Sequence, residues 1–325
     1  MNSLNIAVIG AGMAGISAGR ALREAGHQIT LFDKSRGSGG RMSSRRTDSG
    51  SFDMGAQYFT AREGAFRQHL HQWLEQGWVA EWAPRLYMFD ERGLTESPDD
   101  QPRYVGLPRM TGLSRGLLGD LPLVSQTRIT QLQHDEPGHW TLLDDTGGAH
   151  GPFDRVVVAA PAPQAAALLE VAPSLAQAAA SASMEAGWTL ALSFKDALLT
   201  PVEACFVRSG PIDWISRDSS KPGRSGDDNW VVQSTPEWAA QHLDATPEEV
   251  ALELTGALGY VLGFDIPAAH YRHAHRWLYA RPATINNWGA LAAPAMGLYV
   301  CGDWCLGGRL ENAWLSGMQV ARTLT

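Results

Sequence analysis

Lysine is almost missing from this chain. Of its 26 basic residues only Lys34, Lys195 and Lys221 are lysines, which leaves 23 arginines. Arginine suits phosphates and flat rings, whereas chemistry built on a tuned amine has only three positions to draw on. Cysteine is as sparse: Cys205, Cys301 and Cys305 make no disulfide framework and fit a reducing compartment. No apolar run approaches the length of a bilayer span. Met1–Asn5 leads straight into an apolar strand, with no basic leader and no cleavage site. A net charge of −8 gives no ground for binding nucleic acid or an anionic membrane. Repeats, low-complexity tracts and long linkers are lacking as well. The expectation is a cytoplasmic globular protein, monomeric or weakly dimeric. At 325 residues it is long enough for two domains or one large one.

What is present starts at once. Ile6–Ile9 is an apolar run followed directly by Gly10, Gly12 and Gly15 in the spacing G-x-G-x-x-G. The first glycine permits a tight turn, the second lets backbone approach a pyrophosphate, and the third lets a helix pack on the strand. The helix opening at Met13 and Ala14 aims its N–H groups and positive dipole end at that phosphate. Asp33, followed by Lys34, ends a second strand, His27–Phe32, where a carboxylate accepts hydrogen bonds from an adenosine ribose. Strand, turn, helix, strand and acid in register predict dinucleotide binding. No second G-x-G-x-x-G follows, so a pyridine nucleotide enters only as a substrate.

Gly39-Gly40-Arg41-Met42-Ser43 follows the ribose acid and resembles the GG-R-x-x-S continuation of the flavin-dependent amine oxidase superfamily. There the segment wraps the second side of the pyrophosphate, with Gly40, Arg41 and Met42 at the cofactor. The far end resembles the same family: the strand Leu298–Cys301, then Gly302-Asp303, then Arg309–Gly317 opening a terminal helix at Leu310. In the family the acid holds a ribitol hydroxyl, and the helix N-terminus faces the pyrimidine end of the isoalloxazine. Asp53–Phe59 resembles the D-x-G-x-x-x-(F/Y) segment that runs along the flavin, which puts Gln57 and Tyr58 beside the ring. The family's adenine-side strand maps to Val124–Ile129. The cofactor implied is FAD. Its attachment is non-covalent, because Ala295-Met296-Gly297 stands where covalent members carry cysteine. Trp304 and Trp314 occupy the neighbourhood of the usual substrate-framing tyrosines. Of the lysines, Lys195 is the one assigned to the family's position near the flavin N5.

The fold expected is α/β: a Rossmann-like FAD-binding domain, residues 1–60, 105–182 and 285–325, interleaved with a smaller α+β substrate domain of antiparallel sheet and helices, residues 61–104 and 183–284. Thr127–Leu132 pairs with Trp140–Leu143 across a turn at Pro137-Gly138, and Arg155–Ala160 is a buried parallel strand. Pro163–Ser183 is helical and broken at Pro173. Trp188–Phe194, Trp230–Ser234 and Arg276–Tyr279 are strands of the second sheet. Thr246-Pro247-Glu248-Glu249 starts a helix, and Thr60-Ala61-Arg62-Glu63 reads as a capping box opening a helix through Trp73. His270–Trp277 alternates like a strand and assembles no ligand set, so no metal is expected.

Candidate pocket residues are Tyr58, Thr60, Arg62, Tyr279, Arg281, Trp288 and Arg309. No catalytic side chain is assigned, since no Ser-His-Asp or paired-carboxylate pattern stands out and the chemistry belongs to the flavin. Within the superfamily the sequence most resembles the bacterial renalases. The resemblance implies oxidation of isomeric dihydronicotinamide dinucleotides, 2- or 6-dihydro-NAD(P), to NAD(P)+, with O2 reduced to hydrogen peroxide. Oxidation of an amine or a desaturase-like substrate is the alternative within enzymes, and a flavin-binding sensor or assembly protein the alternative outside them.

Overall fold

A computed structural model describes residues 3–135 and 138–324, so Met1, Asn2 and the Pro137 half of the expected hairpin turn lie outside the described residues. The chain forms two compact units. The first comprises residues up to Gly40, Ser114–Met184 and Arg281 onward; the second comprises Arg41–Leu113 and Glu185–Ala280.

The first unit is built on a six-stranded sheet in the order Leu291–Ala293, Leu298–Val300, Arg155–Val158, Asn5–Ile9, Gln28–Phe32, Leu123–Val124. All neighbours are parallel except the first pair. Central strands of a sheet covered on both faces must be apolar throughout, and Ile6, Ala7 and Val8 are fully buried. Ala7, Ile9, Val156 and Val158 pack with Trp140, Leu142 and Phe153 of a three-stranded antiparallel sheet, Ile129–Asp135, His139–Asp144 and Ala149–Phe153. Leu168, Leu175 and Ala179 of the helices Ala162–Leu168 and Pro173–Ser181 close the same core. The break between those helices falls at Pro173, which sits at the first helical position of the second. Elsewhere in the unit, the helices Met13–Glu24 and Leu310–Leu324 meet each other at Gly317. A Cβ there would overlap the Ala14 carbonyl oxygen and stand 3.0 Å from the Ala18 nitrogen.

The second unit holds a seven-stranded sheet in the order Tyr271–Pro282, Met184–Phe194, Asp228–Ser234, Ile212–Arg217, Ala204–Val207, Leu86–Asp90, Gly93–Glu96. Leu190, Leu192, Ile215, Trp230 and Val232 point to one face and pack on Val250, Leu254, Leu258 and Val261 of the helix Pro247–Leu262. That helix begins as the sequence predicts, with Thr246 and Glu249 forming a reciprocal capping box. Ala191 and Val231 point to the other face, against Phe52 and Met54.

Two expectations change. Thr60 opens no helix: the helix is Gly64–Glu75, and Glu63 is its N-cap. Phe59 exchanges two backbone hydrogen bonds of 2.9 Å with Tyr104, which holds the chain extended just where the capping box would need it to turn. The second unit is also no smaller than the first, because residues 41–60 and 105–113 cluster with it.

Gly317 generates a direct test. Gly317→Ala should destabilise the protein by about 1–3 kcal/mol, because the overlapped atoms are backbone and cannot swing away. Urea unfolding of the variant beside the parent protein measures this.

Candidate flavin site and its supports

In the first unit the strand Asn5–Ile9 ends at Gly10, whose φ of +107° is open to glycine alone. Its nitrogen donates to the Phe32 carbonyl at 2.8 Å. A Cβ on Gly15 would overlap the Gly10 carbonyl, so helix and strand could not close together. Gly12 differs: a Cβ there would meet nothing within 4 Å. It caps the helix Met13–Glu24 with no side chain, so no side-chain cap occupies the first N–H groups. Gly39, at φ +120°, donates to the Ala11 carbonyl at 2.8 Å, and a Cβ on Gly40 would sit 3.5 Å from the Gly12 Cα. Two glycine turns therefore lie against each other around an uncapped helix end. This cradle fits a pyrophosphate.

Asp33 is held by the Ala11 and Ser35 amides, each at 2.8 Å, which leaves acceptor capacity for ribose hydroxyls. Lys34 beside it is exposed. Met13, Ala14 and Ile129 are buried. At the far end of the unit, Gly302 donates to the Ser316 hydroxyl at 3.0 Å, and Asp303 is buried. The helix Leu310–Leu324 follows Arg309, an exposed residue at φ +78°. Trp288 stands edge-on to buried Trp304 with centroids 6.2 Å apart, and Arg281 is exposed. Cys301 and Cys305 are buried thiols; burial pushes Cys305 up to about 12 and Cys301 higher. They are packing groups, not nucleophiles.

In the second unit the Arg41 loop and the Asp53–Tyr58 turn are bound together. Ala56 donates to the Arg41 carbonyl at 2.9 Å, and only glycine fits at 55, since a Cβ would overlap that same oxygen. The Arg41 guanidinium reaches the Ala280 carbonyl at 3.2 Å, and Met42 is buried. Gln57 is nine-tenths and more buried, with its amide orientation fixed from both ends. Nε2 donates to the Asp53 and Gly55 carbonyls at 2.5 and 3.1 Å, while Oε1 accepts from Ser216 at 2.8 Å and Lys221 at 3.1 Å. Gln233 and Trp277 donate to the Gly55 and Met54 carbonyls at 2.7 and 2.9 Å.

Beneath this turn lies a fully buried network of charges. Lys221 is 2.5 Å from Asp218 and 3.3 Å from Asp53, and Arg224 pairs with both carboxylates. All four side chains are at most 1% exposed. Burial works to raise Asp53, but Lys221 and Arg224 outweigh it and hold the carboxyl below its ordinary range. Burial and the charge of Asp53 push Asp218 the other way. The family resemblance leaves Lys195 as the candidate for a flavin-side lysine. Lys195 pairs with Asp227 at the surface, 71% exposed, and Lys221 is the buried lysine of the Asp53 segment. No local pattern marks Lys221, because Asp53 lies 168 residues away in the chain.

Tyr58 sits 5.2 Å from Trp214 and 6.4 Å from Trp82, with the Arg103 guanidinium over its ring at 5.3 Å. Asp99 grips Arg103 with two bonds of 2.7 and 2.8 Å. Burial raises the Tyr58 phenol, with Arg103 opposing, so at neutral pH it is a neutral hydroxyl. Thr60 is half-buried and Arg62 exposed. Tyr279 shares the outer strand of the sheet with His273, His275 and Trp277. Among the described residues no group of His, Cys, Asp or Glu has a metal-binding arrangement, and no helix is long and apolar enough to cross a membrane.

Two substitutions test these supports. Gly12→Val should fold with near-parental stability, since its Cβ meets open space, yet lose its flavin by filling the cradle. The ratio of visible to ultraviolet absorbance reports this beside a melting curve. Lys221→Met should cost about 3–5 kcal/mol by leaving a buried carboxylate uncompensated, read by denaturant unfolding.

Residues 8–74 match the family model of an NAD(P)-binding Rossmann-like domain, and residues 113–325 match that of flavin containing amine oxidoreductases. Over 52 residues the chain is 48% identical to a 4,4'-diapophytoene desaturase (4,4'-diaponeurosporene-forming) from Staphylococcus haemolyticus (strain JCSC1435). That stretch is 16% of this chain and spans only 10% of the curated relative's length. Among solved structures, a protein from Exiguobacterium sp. 255-15, provisionally assigned as a protoporphyrinogen oxidase, superposes with a TM-score of 0.78 at 14% identity, covering 100% of this chain and 99% of the other. Cyclohexylamine oxidase from Brevibacterium oxydans IH-35A gives 0.78 at 13% identity, covering 99% of both. These likenesses establish a shared fold. With the larger part of its length matched by the family model, the chain belongs to the flavin containing amine oxidoreductases, FAD-dependent enzymes of the amine oxidase and desaturase type.

Proposed function

We propose that the protein is an oxidase of isomeric dihydronicotinamide dinucleotides, converting 2- or 6-dihydro-NAD(P) to NAD(P)+ on non-covalently held FAD and giving hydrogen peroxide. The observation that carries this reading is the self-compensation of the charges behind the Asp53–Tyr58 turn. Asp53, Asp218, Lys221 and Arg224 are spent on one another. A dihydronicotinamide needs no base to give up its hydride, because its own ring nitrogen drives the loss. It needs a flat surface and fixed orientation, and half-buried Tyr58, braced by buried Trp82 and Trp214, is the ring proposed to meet it.

The roles divide among the chain's own residues. Gly10, Gly12, Gly15 and Gly40 would cradle the FAD pyrophosphate, Asp33 the ribose, and Arg41 the phosphate charge. Gln57, locked by Lys221 and Ser216, would keep the turn at one height beside the ring. When bound, FAD supplies the two-electron acceptor that is reoxidised by O2. The neutral Tyr58 phenol orients a substrate without adding charge, and Trp288, Tyr279, Arg281 and Arg309 remain proposed pocket residues. Non-covalent attachment follows from Ala295-Met296-Gly297, where no thiol is available for a bond.

The second reading, oxidation of an amine, is favoured by the fold shared with cyclohexylamine oxidase. One anaerobic titration separates the readings. The yellow protein, mixed with 2- or 6-dihydro-NAD(P), ordinary NADH or a panel of amines, should bleach rapidly with the isomeric nucleotides alone. Bleaching by amines alone would replace this reading with the second, and no bleaching by any of them would point to a binding protein without turnover.

A further inference from the structure

Charge is unevenly placed in this acidic chain. Residues 34–47 contain Lys34, Arg36, Arg41, Arg45 and Arg46 and no acid, and residues 266–302 contain three arginines and three histidines and no acid. In the second unit these two stretches meet. Arg45, on the strand Ser44–Thr47, donates from Nε to the Tyr271 hydroxyl at 2.6 Å. Tyr271 is anchored in turn by stacking on Phe52, centroids 5.4 Å apart, and Phe52 is the cross-strand partner of Arg45. The next residues on the same face of the outer strand are His273 and His275, rings 6.5 Å apart, with His275 edge-on to Trp277 at 4.5 Å.

These three groups have no acidic partner among the described residues. Arg45 bonds only the tyrosine hydroxyl through Nε, which leaves the two terminal nitrogens of its fork open to solvent. His273 and His275 make ring contacts and no hydrogen bond. Asp227, in the same unit, is committed to His270 and Lys195 at 3.0 and 3.1 Å. Partial burial and the charge of Arg45 hold both imidazoles below their ordinary range, with His275 adding to the effect at His273. An arginine fork fixed by a tyrosine supplies the positive charge, and two neutral imidazoles on a half-buried sheet edge each supply an N–H donor, a set that suits a tetrahedral oxyanion.

We propose that Arg45, His273 and His275 form a binding site for the phosphate groups of an organic or inorganic phosphate. Two sources share this chemistry: the pyrophosphate of a dinucleotide, and free phosphate or pyrophosphate. At about 3.3 Å per residue, His275 lies roughly 7 Å and His273 roughly 13 Å along the strand from Trp277, a span that a dinucleotide covers. The site stands on its own geometry, whatever substrate the flavin oxidises.

The test uses the FAD-loaded protein with 13C-labelled histidine. Inorganic pyrophosphate should shift the Cε1–H signals of His273 and His275 saturably and leave those of His69 and His71 unmoved. Arg45→Gln should weaken the response about tenfold, whereas Arg272→Gln, on the opposite face of the strand, should change it less than twofold. Should Arg45→Gln fail to fold, His273→Gln carries the same comparison. NADP+ acting at lower concentration than pyrophosphate identifies the dinucleotide as the source; pyrophosphate acting at equal or lower concentration identifies the free anion. No shift of either histidine up to about 10 mM pyrophosphate, or an undiminished response in Arg45→Gln, overturns the site. Turnover of a dihydronicotinamide dinucleotide is scored separately, so losing this site and losing the proposed reaction are different results.

Discussion

Four charges buried out of water, two acids and two bases, are the constraint around which the second unit is arranged. Desolvating an ion costs several kcal/mol, and only close pairing with further hydrogen bonds offsets it. Asp53 meets that demand with four donors: the Ser44 hydroxyl, the Met110 amide, Lys221 and Arg224. Arg224 also donates from one terminal nitrogen to the Gly106 and Pro108 carbonyls. Each bond ties a different loop to the Asp53–Tyr58 turn, so the network acts as a knot. Its products are a Gln57 amide that can point only one way and a Gly55 backbone pressed on Arg41. Its four charges pair with one another.

The first unit works by the opposite means. Its cradle is made of missing side chains and uncapped N–H groups, an arrangement that suits a diphosphate. That generality is why the same beginning serves many flavoproteins, and why the identity of the substrate has to come from the sheet of the second unit. There buried Trp82, Trp214 and Arg103 pack around half-buried Tyr58, with Arg103 held by Asp99.

Legibility in the sequence followed distance along the chain. The Gly10–Gly15 turn, the capping box at Thr246, the break at Pro173 and the strands on either side of them are local, and their residue patterns predict them. The capping box at Thr60 is as good a local pattern, yet it loses to the pairing of Phe59 with Tyr104, a contact no nearby residue announces. Lys221 is invisible for the same reason, since its partners come from Asp53 and Gln57 more than 160 residues earlier. The bond from Arg45 to Tyr271 spans 226 residues. The family resemblance points to Lys195, which pairs with Asp227 at the surface, whereas the buried lysine is Lys221.

The oxidation proposed for this protein calls for no ionisable protein group to take part in hydride transfer. The measurement that bears on it most directly is the limiting rate of anaerobic flavin reduction by a dihydronicotinamide dinucleotide between pH 7 and 9. If Asp53, Asp218, Lys221 and Arg224 are committed to one another and Tyr58 stays a phenol, that rate will be level across the range. A rate that rises or falls through a single protein ionisation within it would contradict the account.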